Sequence, residues 1–174
     1  MNALPRILVI DDDFGRDWSG ANRKRKGFCD RANLLDITSD FEQDRKKTHE
    51  RKDDAVAAAV FCSGLRNVNG SAEHDLEGTL EIIRRGWSEW PRWALVFLDL
   101  KFITGKIGPD GTPEGRKTDA DPKEFFGLTI LERMFRDPVL KEIPVVILLG
   151  MERNRIEERF ANHGALDFEP KKEE

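Results

Sequence analysis

Three apolar runs, each ending at a residue suited to chemistry or to a turn, constrain this chain more than any other feature. Arg6–Ile10 leads into Asp11-Asp12-Asp13, Ala94–Leu98 leads into Asp99, and Ile143–Leu149 leads into Gly150. None of the runs alternates apolar with polar residues. Continuous apolar runs suit strands buried on both faces, as in a parallel sheet covered by helices. Open α/β sheets bind ligands beyond the carboxyl ends of such strands, which is where these acids fall. Carboxylates gathered there repel one another unless a cation neutralises them. The spacing therefore points to a Mg²⁺ site with an aspartate placed to react.

The rest of the chain supplies the alternation that such a sheet needs. Val56–Cys62 reads as a second buried strand, closed by Ser63-Gly64. Leu34, Leu35, Ile37 and Phe41 share one helical face and predict a helix there. Asn67 to Ser71 reads as a turn or loop. Leu76, Leu80, Ile83 and Trp87 predict a helix between Ala72 and Trp90, broken by Pro91. Phe126, Ile130, Leu131, Met134 and Phe135 mark the next helix, and Ile156 and Phe160 a further one. Gly164–Phe168 is the fifth strand or its approach. Strand and helix in turn imply βαβ units with right-handed crossovers, hence an α/β fold with a doubly wound, five-stranded parallel sheet. The Gly-, Pro-, Asp- and Lys-rich stretch 103–122 is long for a loop inside a compact domain, which marks it as functional or mobile.

Composition narrows the classes. With 174 residues the chain can bury one core, and it is expected to form a single domain over 1–174. A formal net charge of -4 argues against a broad nucleic-acid-binding face. The run Arg23–Lys26 reads as a solvated face. No apolar stretch reaches the length of a membrane span, and the first residues lack a signal-peptide layout, so no membrane role is expected. Cys29 and Cys62 show no metal-ligand spacing, which suits reduced thiols in a cytoplasmic protein. Trp87, Trp90 and Trp93 read as core or dimer-interface packing.

Four segments carry a family resemblance: Ile7–Asp12, Leu95–Asp99, Ile143–Val146 and Gly164–Lys171. Their order resembles that of response-regulator receiver domains, which have a flavodoxin-like fold. Compared with that family the chain carries insertions at about 14–54 and 103–122. The resemblance implies that Asp99 is the phosphoacceptor, supplied by a histidine kinase or a small phosphodonor. It implies that Asp11, Asp12, Asp99 and the backbone carbonyl of Lys101 hold Mg²⁺, and that Lys171 contacts the phosphoryl group. Homodimerisation is a further expectation of the family. The insertions resemble receiver-like domains at the amino end of bacterial transcription regulators, some with a sigma-54-type ATPase. The sequence stops at Pro170–Glu174 with no closing amphipathic helix, so the last helix is expected to be lacking and an output domain to lie beyond residue 174.

The chain also departs from the family pattern at its switch positions. Leu149, followed by Gly150, stands where the family has a Ser or Thr whose hydroxyl bonds the phosphoryl group. Phe168 keeps the aromatic switch position without a tyrosine hydroxyl. Lys172 follows Lys171 in place of the usual proline. These departures support an alternative: a phosphorylation-independent pseudo-receiver that serves as a dimerisation or docking module. A third reading, a haloacid-dehalogenase-type phosphatase, rests on Asp11-Asp12-Asp13 alone. It lacks the Thr or Val expected where Gly15 sits, and it has little room for a cap.

Overall fold

In the computed structural model, the structure describes residues 4–14, 21–38, 55–89, 91–109, 113–114 and 125–148. Its centre is β1 (Arg6–Ile10), buried along its whole length. Helix α1 (Ala21–Ala32) follows, then the short strand β2 (Leu34–Asp36) and β3 (Ala57–Cys62). Next come β4 (Leu65–Val68), β5 (Ser71–His74), α2 (Leu76–Ser88) and β6 (Trp93–Asp99). The described chain ends with β7 (Gly105–Lys106), α3 (Phe126–Arg136) and β8 (Val145–Leu148).

The main sheet has five strands in the order β2-β3-β1-β6-β8, and every neighbouring pair is parallel. Its two faces bury different residues, because successive side chains of a strand point to opposite sides. Ile7 and Val9 of β1 lie in one core with Phe14, Cys29 and Phe61. Leu8 and Ile10 lie in the other with Leu80 and Ile83 of α2 and Leu128, Ile130, Leu131 and Met134 of α3. One face is thus covered by α1 and the other by α2 and α3. This is the doubly wound α/β arrangement, compatible with a flavodoxin-like fold.

Gly164–Phe168, expected as the fifth strand or its approach, lies outside the described residues; among the described residues the fifth strand of the sheet is β2. Leu34 and Leu35 were expected on a helix, but they pair with Ala57 and Ala58 of β3. A three-residue edge strand leaves almost no periodic signal in sequence, and its state is set by a partner more than twenty residues away. A helix that the sequence did not predict lies earlier, over the basic run. Its buried face uses Phe28, Cys29 and the stem of Arg25, whose guanidinium donates to the Phe14 carbonyl at 3.1 Å and pairs with Asp36 at 3.3 Å. A helix that buries an arginine hides its apolar stripe from a hydropathy reading.

Helix α2 begins later than expected, at Leu76, where the Asp75 side chain caps it by accepting the Gly78 N–H at 3.1 Å. The residues before it form a hairpin. β4 and β5 pair antiparallel around Asn69-Gly70, with φ of 52° and 81°, the two left-handed positions of a tight hairpin turn. β7 adds a third strand through Ala72–Gly105 pairing. This small antiparallel sheet lies outside the βαβ pattern, and its strands carry little apolar alternation.

Candidate functional site

The carboxyl ends of β1 and β6 are level, because Ile10 pairs with Leu98. The residues that follow, Asp11 and Asp99, therefore emerge side by side. Directly after Asp11, a 3-10 turn over Asp12–Phe14 brings Asp12 back toward the same point, closed by a Phe14 N–H to Asp11 carbonyl bond of 3.1 Å. Asp11, Asp12 and Asp99 can each direct a carboxylate oxygen to within 4.8 Å of the others. The sequence expected four acids here, and three gather. Asp13 turns to the rim, where Lys24 of α1 pairs with it at 2.6 Å.

Each inward carboxylate is held by a backbone donor. Asp11 Oδ1 accepts the Asp13 N–H at 2.8 Å, and Asp99 Oδ1 accepts the Leu100 N–H at 2.7 Å. Asp12 is 1% exposed, and its Oδ2 accepts the Ile103 N–H at 2.8 Å. Burial, followed by the charges of Asp99, Asp12 and Asp13, pushes the Asp11 carboxyl up from 3.8 to about 7, against the opposing pull of the Asp13 N–H. The first cause is lost hydration and the rest is repulsion between like charges. A bound cation would reverse both. Clustered hard oxygen donors with one buried member suit a hard divalent ion of the Mg²⁺ or Ca²⁺ type.

Lys101 lies two residues beyond Asp99. Its ammonium is 5.3 Å from the Phe125 ring centroid, so its side chain is directed to that ring. Lys171, Leu149, Gly150 and Phe168 lie outside the described residues. The sequence reading missed what braces the site. The amino end of α3 presses on the chain leaving Asp99: Gly127 N–H donates to the Leu100 carbonyl at 3.2 Å, and a Cβ on Gly127 would collide with the Asp99 carbonyl. A glycine in the first turn of an otherwise apolar helix was the available signal. The Ile103 N–H that holds Asp12 leaves no trace in sequence, since any residue but proline supplies it.

No helix among the described residues is long and apolar enough to cross a membrane. Comparison with protein-family models, with curated proteins and with solved structures finds no significant match to this chain.

Proposed function

We propose that the chain is a receiver-type phosphoacceptor domain in which Asp99 accepts a phosphoryl group beside Asp11 and Asp12, the ligands of a Mg²⁺ ion. The observation that carries this reading is the meeting of three carboxylates, within 4.8 Å, at the carboxyl ends of two adjacent parallel strands. Ligands of such sheets bind at that edge.

In this reading a carboxylate oxygen of Asp99 attacks the phosphorus of a phosphohistidine or an acyl phosphate. The new O–P bond forms as the donor's P–N or P–O bond breaks, and the donor keeps the electron pair: the imidazole nitrogen of a phosphohistidine takes up a proton from water, whereas an acyl phosphate leaves as an ionised carboxylate. The Leu100 N–H fixes the rotation of the nucleophile, and the Ile103 N–H fixes that of Asp12. Phosphoryl transfer depends mainly on such positioning and on charge neutralisation. A bound Mg²⁺ would offset the charge of the three carboxylates and of the incoming oxygens. The Lys101 backbone carbonyl and the Lys171 ammonium take their family roles in the same proposal.

The test is intact mass after incubation with Mg²⁺ and acetyl phosphate, with Asp99→Asn alongside. One phosphoryl group on the wild type and none on the variant is expected. Labelling retained in Asp99→Asn would refute the assignment. If neither protein is modified while tryptophan fluorescence reports Mg²⁺ binding, the pseudo-receiver reading that Leu149 supports takes its place.

A further inference from the structure

The segment that leaves Asp99 is anchored at both ends. At its start, the Leu100 carbonyl accepts the Gly127 N–H of α3 at 3.2 Å. Further on, Ile103 N–H holds Asp12 at 2.8 Å, and Gly105 then pairs with Ala72 of the small antiparallel sheet. Between these anchors stands Phe102. Its ring meets Phe126 edge to face at 5.1 Å and His74 edge to face at 6.5 Å. His74 in turn stacks flat on Phe126, with centroids 4.1 Å apart and an interplanar angle of 3°. The third wall is Gly64, at the entry to the hairpin. Its φ is +66°, and a Cβ there would lie 2.6 Å from Phe102 Cε1.

Three elements therefore converge on one ring: the hairpin through His74 and Gly64, helix α3 through Phe126, and the strap through Phe102 itself. The ring is immediately followed by the amide that holds the most deeply buried acid of the site. Aromatic pairs in these geometries are directional contacts, worth more than the area they bury. A rigid ring next to Ile103 limits where that N–H can point, and so limits the rotamer of Asp12.

We propose that Phe102 is a positioning residue for the acidic site, and that through it the β4–β5 hairpin and the orientation of Asp12 are coupled. The proposal rests on the acidic cluster being the functional site, though not on the identity of the ion. Coupling of this kind is reciprocal. Loosening the hairpin contact releases Asp12, and removing the Asp12 acceptor loosens the hairpin. Groups that orient metal ligands without touching the metal change affinity by about 10- to 100-fold when lost. A similar effect is expected here from an aromatic ring that acts one residue away.

The experiment is residue-resolved hydrogen exchange on the full chain, for wild type, Asp12→Ala, Phe102→Leu and Phe102→Tyr, with and without Mg²⁺. Phe102→Leu is expected to speed exchange of the Ile103 amide about tenfold, and Asp12→Ala to speed the Leu65–His74 amides by a similar factor. Amides of α2 at Leu80 and Ile83 stay unchanged, which separates coupling from general loss of stability. Phe102→Tyr, which keeps the ring, restores wild-type rates. Mg²⁺ binding weakens about tenfold in Phe102→Leu and recovers in Phe102→Tyr. Hairpin exchange in Asp12→Ala within about twofold of wild type overturns the proposal, given the ordinary scatter of such rates. If Asp12→Ala does not fold, an unchanged Ile103 amide in Phe102→Leu overturns it equally. A wild type that binds no Mg²⁺ refutes the metal reading alone, and the metal-free exchange rates still decide the coupling.

Discussion

Replacing Asp11 by Asn tests the electrostatics of the site without reference to any reaction. Asn keeps the shape of the side chain and an oxygen for the Asp13 N–H, but it cannot ionise. Raising the Asp11 carboxyl from 3.8 to about 7 corresponds to about 4 kcal/mol, at ~1.4 kcal/mol for each tenfold change in proton affinity. The folded chain holds this proton more tightly than the unfolded chain does. Stability from this group is therefore fully present below about pH 4 and is lost progressively as pH rises through about 7. In EDTA, wild type and Asp11→Asn should be equally stable near pH 4. By pH 8 the variant should be the more stable by up to about 4 kcal/mol, or on the order of 10 °C in Tm for a chain of this size. The assay is urea or thermal unfolding of both proteins at pH 4 to 8, read as the difference between them, so that other titrating groups cancel. Saturating Mg²⁺ should stabilise the wild type at pH 8, by about 2.7 kcal/mol at a hundredfold excess over Kd, and should leave the variant nearly unmoved. Equal stability of the two proteins across that range in EDTA would show that Asp11 is neither buried nor crowded by its neighbours as described.

Two further substitutions test the frame that carries the site. Gly86→Ala in α2 drives a methyl into the indole of Trp93, which is 1% exposed and donates to the Ile83 carbonyl at 3.1 Å. It should cost about 1–3 kcal/mol in urea unfolding, and a change below about 0.5 kcal/mol would count against this packing. Asp75→Ala removes the cap on the Gly78 N–H and should cost about 1 kcal/mol, with Asp75→Asn or Asp75→Ser recovering most of it in the same assay.

The parts of the fold that show in sequence are those whose state is decided by burial on both faces. Arg6–Ile10 matches β1 residue for residue, and the runs at 56–62 and 94–98 match β3 and β6 to within one residue at each end. These strands are central, so hydropathy alone sets their pattern. Edge and insertion elements follow other rules. Leu34–Asp36 is a strand because β3 offers it a ladder, with the Ile37 N–H reaching the Ala59 carbonyl at 2.9 Å and the Phe61 N–H reaching Thr38 Oγ1 at 2.9 Å. Nothing local dictates that state. The hairpin was legible in part, since Asn69-Gly70 is a strong turn signal, but the polar residues Arg66, Asn67, Glu73 and His74 hide the strands on either side, and Ala72–His74 reads instead as the start of the next helix. In the site, the juxtaposition of Asp11, Asp12 and Asp99 could be read directly, because it follows from acids at the ends of neighbouring parallel strands. The outward turn of Asp13 depends on Lys24, and the bracing of Asp12 on a backbone amide 91 residues away in the chain.

The energetics of the site supply their own argument that it is used. A domain of this kind is stable by only about 5–15 kcal/mol, so a metal-free cost of a few kcal/mol at Asp11 alone is a large fraction of the whole. A carboxamide at the same position would remove that cost while keeping the Asp13 N–H bond. Asp12 adds to the burden, since it is 1% exposed and still within reach of the other two acids. Structural carboxylates are normally paired with cations or placed at the surface, as Asp13 is with Lys24 and Asp36 with Arg25. The same protein thus pairs Asp13 and Asp36 with cations and gathers Asp11, Asp12 and Asp99 at one point. Strongly perturbed carboxyls at the ligand-binding edge of a parallel sheet are a mark of functional sites. A bound divalent cation would make that crowding more favourable at neutral pH, and the stability gained from Mg²⁺ at pH 8 measures it.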